Sequence, residues 1–584
     1  MVQRSMKFTP EVLLSAPRRS AGVPNPSGNR VLYTTSTYDF QSHKKAIELR
    51  VLDAATGDSY QLAKDDDISD INWLDDDEFV CLQSEKNGST SLYVVSVKAA
   101  IEKTELGKSH YIAGKIDAAA GNIKVCKLDP EGNSFAVTLS AQACPDGSLY
   151  TTEKSNRKTQ STGRLYSNLY VRHWDHYSEP QRNSLWFGTL SRCGDGKYEL
   201  SNLTNALRDT GLECPIPPFG GTDHFDISTN RIIFVAKDPE VNPALNTKCN
   251  VYFAYLDSWT EGHAPRIQKI EIPGYEGACT SPVFAPVANA AAFLSMQKNG
   301  YEADRNEVFL ILEGHATSDG GPKAEKLELT TATAIDADGD GRWDRSPQSI
   351  CFSADGQSIL AMAEDLGYGK LFQMVLKLGG PGGVEIRKLT EKGYVSDVHP
   401  LHDGRIFASG SSLVDNSWYA IVDPRIADAA TEKLTSWSHS NSSGGSKFGL
   451  KPSQVSSIWT PASNPKVNKE VHSIVMKPSN FDPDQKYPVA YLIHGGPQGS
   501  WADSWSTRWN PAVFAEQGYI VIAPNPTGST GYGQAFTDAI RKNWGGDPYG
   551  DIVNCYEWVG ENMPEADNEK AVALGASYGG YMVS

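Results

Sequence analysis

Nowhere does the chain carry the roughly 18 consecutive apolar residues that a membrane-crossing helix requires, so its 584 residues hold no helical membrane anchor. Cationic residues are in short supply. Lys and Arg total 54 against 70 Asp and Glu, a formal charge of −16, the wrong sign for gripping a phosphate backbone; a nucleic-acid partner is not expected. The nine cysteines include no C-x-x-C pair and no Cys/His spacing of the kind that holds zinc, so neither a metal nor a cofactor is expected. The first ten residues lack the uninterrupted apolar core of a secretory leader. Only 21% of residues are charged, while 52 Gly, 13 Trp and 25 Tyr suit turn-rich β structure better than helical arrays, disorder or coiled coil.

At about 150 residues per domain, the length allows several. A degenerate phrase recurs along the first three-quarters: a short apolar strand, a turn of Pro, Asp, Asn or Gly, and a second apolar strand. It appears at 24–33, 71–80, 127–137, 225–234, 282–293, 350–360 and 399–407, with Phe352-Ser353-Ala354-Asp355-Gly356 the cleanest turn. Each copy is trailed by a further strand such as Leu92-Tyr93-Val94-Val95 or Trp418-Tyr419-Ala420-Ile421-Val422. Repeats of this kind at roughly 45–60 residues read as a radial array of small sheets. The fold expected is a seven-bladed β-propeller over 21–435, after an N-terminal segment 1–20; a β-sandwich is the alternative.

Within that region, residues Asp336, Asp338, Asp340 and Asp344 imitate a calcium loop, but the twelfth position is Pro347 where a bidentate Glu is needed. An Asp/Gly turn is the reading preferred. The acidic runs at 65–67 and 75–77 read as solvated turns.

A Gly/Ser-rich connection over 436–455 precedes a change of period. Over 456–584, buried strands at 487–494, 519–524 and 571–574 alternate with helical stretches at 513–517 and 549–561, the signature of a parallel α/β sheet. The third strand runs into Gly575-Ala576-Ser577-Tyr578-Gly579. G-x-S-x-G alone is weak, with roughly 0.4 matches expected by chance in such a chain, but the strand before it and the helix it opens are the context a nucleophile elbow needs. Ser577 is thus the candidate nucleophile. The oxyanion donors expected are the backbone N–H groups of Tyr578, directly after it, and of Gly496 in His494-Gly495-Gly496-Pro497. His494, at the end of an early strand, is read as a loop-orienting residue and not as the base. In α/β hydrolases the acid and base follow the serine along the chain, and seven residues follow Ser577. The hydrolase is therefore expected to be truncated after its elbow, and the chain as given inactive for want of a base.

A propeller followed by His-Gly-Gly-Pro and Gly-x-Ser-x-Gly-Gly resembles the prolyl oligopeptidase family of serine peptidases. More narrowly, it is similar to the fungal dipeptidyl-peptidase V branch through Phe8-Thr9-Pro10-Glu11, Val171-Arg172-His173-Trp174-Asp175, Pro217-Pro218-Phe219-Gly220-Gly221, Gly300-Tyr301-Glu302-Ala303-Asp304-Arg305, Trp343-Asp344-Arg345-Ser346-Pro347 and the segment 492–533. The resemblance implies a secreted serine exopeptidase that releases dipeptides from free N-termini, with the propeller restricting access. A free amine calls for a carboxylate near the site, for which Glu302 and Asp304 are the candidates. Asn87, Asn202 and Asn441 lie in N-x-S/T sequons and favour an extracellular glycoprotein. The competing functions are an acylaminoacyl-peptidase or oligopeptidase, an esterase, and a catalytically dead binding propeller. Eight of the nine cysteines fall in the propeller, enough for up to four bridges.

Overall fold

The computed structural model describes the chain apart from residues 1–7, 65–66, 103–108, 156–160, 168, 288, 313–320, 331–340, 377–383, 427–434 and 437–447. The recurring phrase is a hairpin each time. Its turn chemistry is plainest at Gly356, which takes φ +69°, where a Cβ is penalised. There Asp355 accepts from the Ser353 hydroxyl (2.6 Å) and the Gln357 N–H (3.0 Å), while Ser353 N–H donates to Ser358 O (2.8 Å).

Antiparallel meanders follow one another over 30–64, 68–116, 120–200, 225–269 and 279–326. A nine-stranded sheet then joins two more, 347–388 and 394–436, through the single pairing of Gly369 with Tyr394. Neighbours bury their faces against each other, as Leu82, Leu92 and Val94 do against Val137, Leu139 and Trp186. Burying each such side chain contributes about 1.5–3 kcal/mol. The last meander packs on the first through Phe407, Tyr419 and Ile421 against Val31, Tyr33 and Leu52, closing a ring. Arg19 latches that closure: it donates to Ser417 Oγ (2.7 Å) and Ser417 O (2.8 Å) and lies 4.4 Å from the Tyr419 ring centroid.

The second body is a five-stranded sheet: β1 (Val455–Pro461), β2 (Glu470–Met476), β3 (Tyr487–Ile493), β4 (Ile520–Pro524) and β5 (Ala566–Gly575), in the order β1-β2-β4-β3-β5. Only β3, β4 and β5 run parallel; β2 pairs antiparallel to both β1 and β4. The three strands expected to be parallel are so, and the antiparallel pair β1 and β2 extends the sheet, since the pattern of 487–574 says nothing of the strands before it. Helices α1 (Pro511–Ala515), α2 (Gln534–Asp538), α3 (Asp547–Asn562) and α4 (Tyr578–Val583) fill the connections.

β5 pairs with β3 in parallel along the length of that strand, from Tyr487 opposite Ala566 to Ile493 opposite Gly575.

The N-terminal segment is not a free lead-in. Thr9 caps the short helix Pro10–Ser15, its hydroxyl accepting from Val12 N–H (3.3 Å), and Pro10 takes the first helical position. Phe8, Leu13 and Ala16 are buried with Met476, Ala490 and Leu492 of the second body, and Phe8 meets Trp505 edge-on at 5.5 Å. Chain start and hydrolase sheet thus share one core.

None of the nine cysteines forms a disulfide, so the bridges allowed by their number are not made. Cys249 and Cys279 sit on adjacent meanders, yet the Cys279 thiol donates to Cys249 O (3.4 Å). No helix among the described residues is long and apolar enough to cross a membrane.

Candidate active site

β5 ends at Gly575 and the chain turns sharply through Ser577, which takes φ +56° and ψ −125° before α4. That backbone is strained for a residue with a Cβ, and such strain persists only where the surroundings impose it. Here they do. A Cβ on Gly575 would lie 2.4 Å from the Gly579 carbonyl, and one on Gly579 would lie 2.2 Å from O of Ile493, the last residue of β3. Strand, turn and helix therefore approach each other only through hydrogen atoms. Ser577 is left exposed, and its hydroxyl caps no helix N–H.

Tyr578 anchors the turn from below. Its ring is buried, meets Trp544 edge-on at 5.4 Å, and its hydroxyl donates to Trp544 O (2.7 Å). The loop after β3 lies directly against the elbow: a Cβ on Gly495 would meet Ala576 O at 3.0 Å and Ser577 Cβ at 3.4 Å. Gly496 takes φ +125°, which glycine tolerates and other residues do not. Among the described residues the N–H groups of Gly496 and Tyr578 donate to no protein acceptor. Exposed serine, adjacent Gly-Gly loop and two uncommitted N–H groups are the parts that acyl transfer requires.

His494 is engaged at both ring nitrogens. Nδ1 lies 2.7 Å from Gly495 O and Nε2 2.9 Å from Ser529 Oγ, and burial lowers its pKa from the usual histidine value. Nδ1–H donates to Gly495 O, while the Ser529 hydroxyl beside Nε2 also lies 2.7 Å from Pro526 O and has one proton to share between the two. The imidazole holds the Gly-Gly loop and has no nitrogen left for Ser577.

Glu302 and Asp304 lie on the 297–305 turn of the propeller, and that turn touches the hydrolase. Tyr301 donates to Asp538 (2.5 Å) and accepts from Gln498 Nε2 (2.8 Å), two residues beyond Gly496, while Gln534 Nε2 donates to Ala303 O (2.9 Å). Arg541 covers the Tyr301 ring at 4.4 Å. Burial first, and then the Asp538 carboxylate, push the Tyr301 phenol up, so it stays a donor at neutral pH.

Of the two acids, Asp304 is buried and committed to its own turn, accepting from Lys298 N–H (2.8 Å) and lying 3.4 Å from Lys298 Nζ. Glu302 is exposed between the two residues that contact the hydrolase. The turn was legible as acidic; the latch formed by Tyr301, Gln498 and Asp538 had no sequence signal, because its members are some 200 residues apart.

The neighbouring turns also dock. Leu366 N–H donates to Gly531 O (3.0 Å), Asp503 N–H donates to Gly367 O (2.8 Å), and Asp503 accepts from Leu413 N–H (2.9 Å) and Gly393 N–H (3.1 Å). Behind the first of these turns, Asp365 is buried against Arg345 (2.8 Å) and Lys370 (2.6 Å). Burial opposes its charge, but the two cations outweigh burial and hold its carboxyl below the usual range.

Asp336, Asp338 and Asp340 of the calcium-like stretch lie outside the described residues. Asp344, its ninth position, serves the domain contact instead, bound by Arg305 (3.0 Å) and Gln534 N–H (3.1 Å). Among the described residues no cluster of three or more His, Cys, Asp or Glu side chains is placed to hold a metal ion. Asn87 and Asn202 are exposed, far along the chain from the elbow; Asn441 lies outside the described residues.

Residues 505–584 match the model of the prolyl oligopeptidase family. The chain is 36% identical to a probable dipeptidyl-peptidase 5 of Aspergillus clavatus over 596 aligned residues, covering 99% of this chain and 76% of that protein. It is 35% identical to a dipeptidyl-peptidase 5 of Aspergillus fumigatus, covering 99% and 77%. Among solved structures, an acylaminoacyl peptidase of Pyrococcus horikoshii superposes with a TM-score of 0.66 at 14% identity, over 99% of this chain and 76% of that one, a likeness of fold: propeller plus hydrolase. With an elbow serine, its Gly-Gly loop, and relatives more than a third identical across nearly its whole length, the chain belongs to the prolyl oligopeptidase family of serine peptidases.

Proposed function

We propose that this protein is a serine exopeptidase that releases dipeptides from the free amino termini of peptides. The observation that carries the reading is Ser577 held at φ +56° against the Gly495–Gly496 loop, in a chain whose relatives are dipeptidyl-peptidases 5. Ser577 attacks the carbonyl after the second residue and forms an acyl-enzyme; the N–H groups of Gly496 and Tyr578 receive the oxyanion. A serine hydroxyl needs a general base. His494 is engaged elsewhere and does not serve as that base. Peptides are the substrates, and no cofactor is invoked. The meanders are read as seven blades over 21–435, the hydrolase as 456–584.

Counting two residues from a free amine requires a fixed anion, and Glu302 is assigned that task because Asp304 is already paired with Lys298. Hydrogen bonds to charged groups contribute about 1.5–3 kcal/mol. Glu302→Gln in the full-length enzyme is therefore expected to lower kcat/KM on free-amine dipeptidyl substrates by roughly 10- to 100-fold, while leaving the slow cleavage of N-acetylated ones as it was. Equal kcat/KM for the two enzymes on free-amine substrates sinks the assignment. Wild-type cleavage of N-acetylated peptides at a rate equal to that of free ones would favour the acylaminoacyl-peptidase reading instead.

The extracellular setting is proposed on the exposed sequon residues Asn87 and Asn202. Nine cysteines without a disulfide are unusual in an oxidising compartment, so the test is direct. Protein recovered from culture medium should lose mass on endoglycosidase treatment, with the loss mapping to Asn87 or Asn202; retention inside the cell with no mass change defeats the proposal.

A further inference from the structure

The propeller carries an exposed aromatic cluster that the reading above leaves unused. Between the second and third long strands of the 120–200 meander, the chain makes a small hairpin, Arg172–His173 paired with His176–Tyr177. Its two-residue turn is Trp174-Asp175. Trp174 takes φ +49° and is 70% exposed. Turns of this kind favour Asn or Gly, and a bulky residue with positive φ is a true outlier. Arg172 Nη1 pins the turn by donating to Trp174 O (3.0 Å). Phe219, also 70% exposed, meets Trp174 edge-on at 5.0 Å and His173 at 5.9 Å. Strain of this sort gathers at ligand-binding positions, and paired exposed aromatics are what a site for an apolar group displays.

Topology places the cluster. Every meander alternates its connections between the two faces of the ring. The contacts to the hydrolase come from turns between second and third strands, at Tyr301, Leu366 and Leu413, and from linkers between meanders, at Asp344 and Gly393. The Trp174 hairpin is a connection of the first kind, and Phe219 lies on a linker of the second kind. Both therefore rise from the face that the hydrolase covers. Their meander is separated from each of the last two by two others, so the cluster stands across the ring from the docked turns at Leu366 and Leu413.

We infer that Trp174 and Phe219 form a binding surface for an apolar side chain of the peptide substrate, on the same face of the ring as the turn that carries Glu302 and one meander removed from it. This rests on the peptidase reading. A partly enclosed apolar contact discriminates by about tenfold or somewhat more.

The test uses full-length enzyme and two series of dipeptidyl substrates, with Phe, Leu or Ala at the first or at the second residue. Trp174→Asn removes the ring yet suits the turn, so its Tm should equal or exceed that of the wild type. It should keep kcat/KM on the Ala-only substrate and lose roughly tenfold of the preference for Phe or Leu over Ala at one of the two positions, through KM. Phe219→Ala should lose the same preference. Undiminished preference in Trp174→Asn overturns the inference, and so does a uniform fall across all substrates, which would signify a structural role. The exopeptidase reading fails by a different result, namely wild-type indifference to N-acetylation, which leaves the aromatic preference measurable.

Discussion

Ser577→Ala is expected to abolish turnover by the full-length enzyme, lowering kcat by on the order of 10⁶, the effect of removing a serine nucleophile that works as one unit with its base. The hydroxyl caps no helix N–H and the residue is exposed, so nothing structural is lost with it; the Tm should be unchanged. Burst kinetics with an activated ester report acyl-enzyme directly, and the burst should vanish in the variant. Ser577→Gly offers an internal control for strain. At φ +56° and ψ −125° a serine carries roughly 1–3 kcal/mol of backbone cost that glycine avoids, so this variant should be as inactive as alanine and more stable. A burst that survives Ser577→Ala, or a glycine variant less stable than the alanine one, would contradict the assignment of this turn as a nucleophile elbow.

Gly579→Ala should be the most damaging one-carbon change in the hydrolase. The added methyl would sit 2.2 Å from Ile493 O and 3.0 Å from His494 O. Both acceptors are backbone, so relief requires moving α4 away from β3, and overpacking of this kind costs about 1–3 kcal/mol or more. The same move would swing the Tyr578 N–H off the oxyanion position, so kcat/KM should fall even in molecules that remain folded. Gly580→Ala is the control, because its Cβ would meet Gly575 O at an ordinary 3.6 Å. Urea unfolding monitored by tryptophan fluorescence separates the two. Equal midpoints for Gly579→Ala and Gly580→Ala would show that the close packing of strand and helix is not what the glycine provides.

These constraints explain why the elbow could be read from sequence while other parts of the site could not. Gly575, Ser577 and Gly579 are required by atoms within a few residues or on the neighbouring strand, so the need is written as a short motif. The hairpin turns are legible for the same reason, as the Ser353-Ala354-Asp355-Gly356 turn illustrates through its own hydrogen bonds. The periodicity of 487–574 revealed the parallel core of the hydrolase. It could not reveal the antiparallel pair β1 and β2, which lies outside the alternating pattern.

Acidic Glu302 and Asp304 look equivalent along the chain. Folding separates them, one into an ion pair with Lys298 and the other into solvent beside the domain contact. Cysteine number allowed four bridges and the fold makes none, because adjacency on neighbouring strands does not by itself bring sulfur atoms together.

Repeats pointed to a propeller and two glycine-rich motifs to the chemistry, since each is dictated by local backbone geometry or by simple counting. Tertiary structure alone decided how the propeller meets the hydrolase. Phe8 reaches the hydrolase core, Tyr301 holds Gln498 beside the oxyanion loop, and Trp174 meets Phe219 on the covered face. Each joins residues from tens to hundreds of positions apart. Such contacts exist only once the ring has closed, and no local pattern in the chain encodes them.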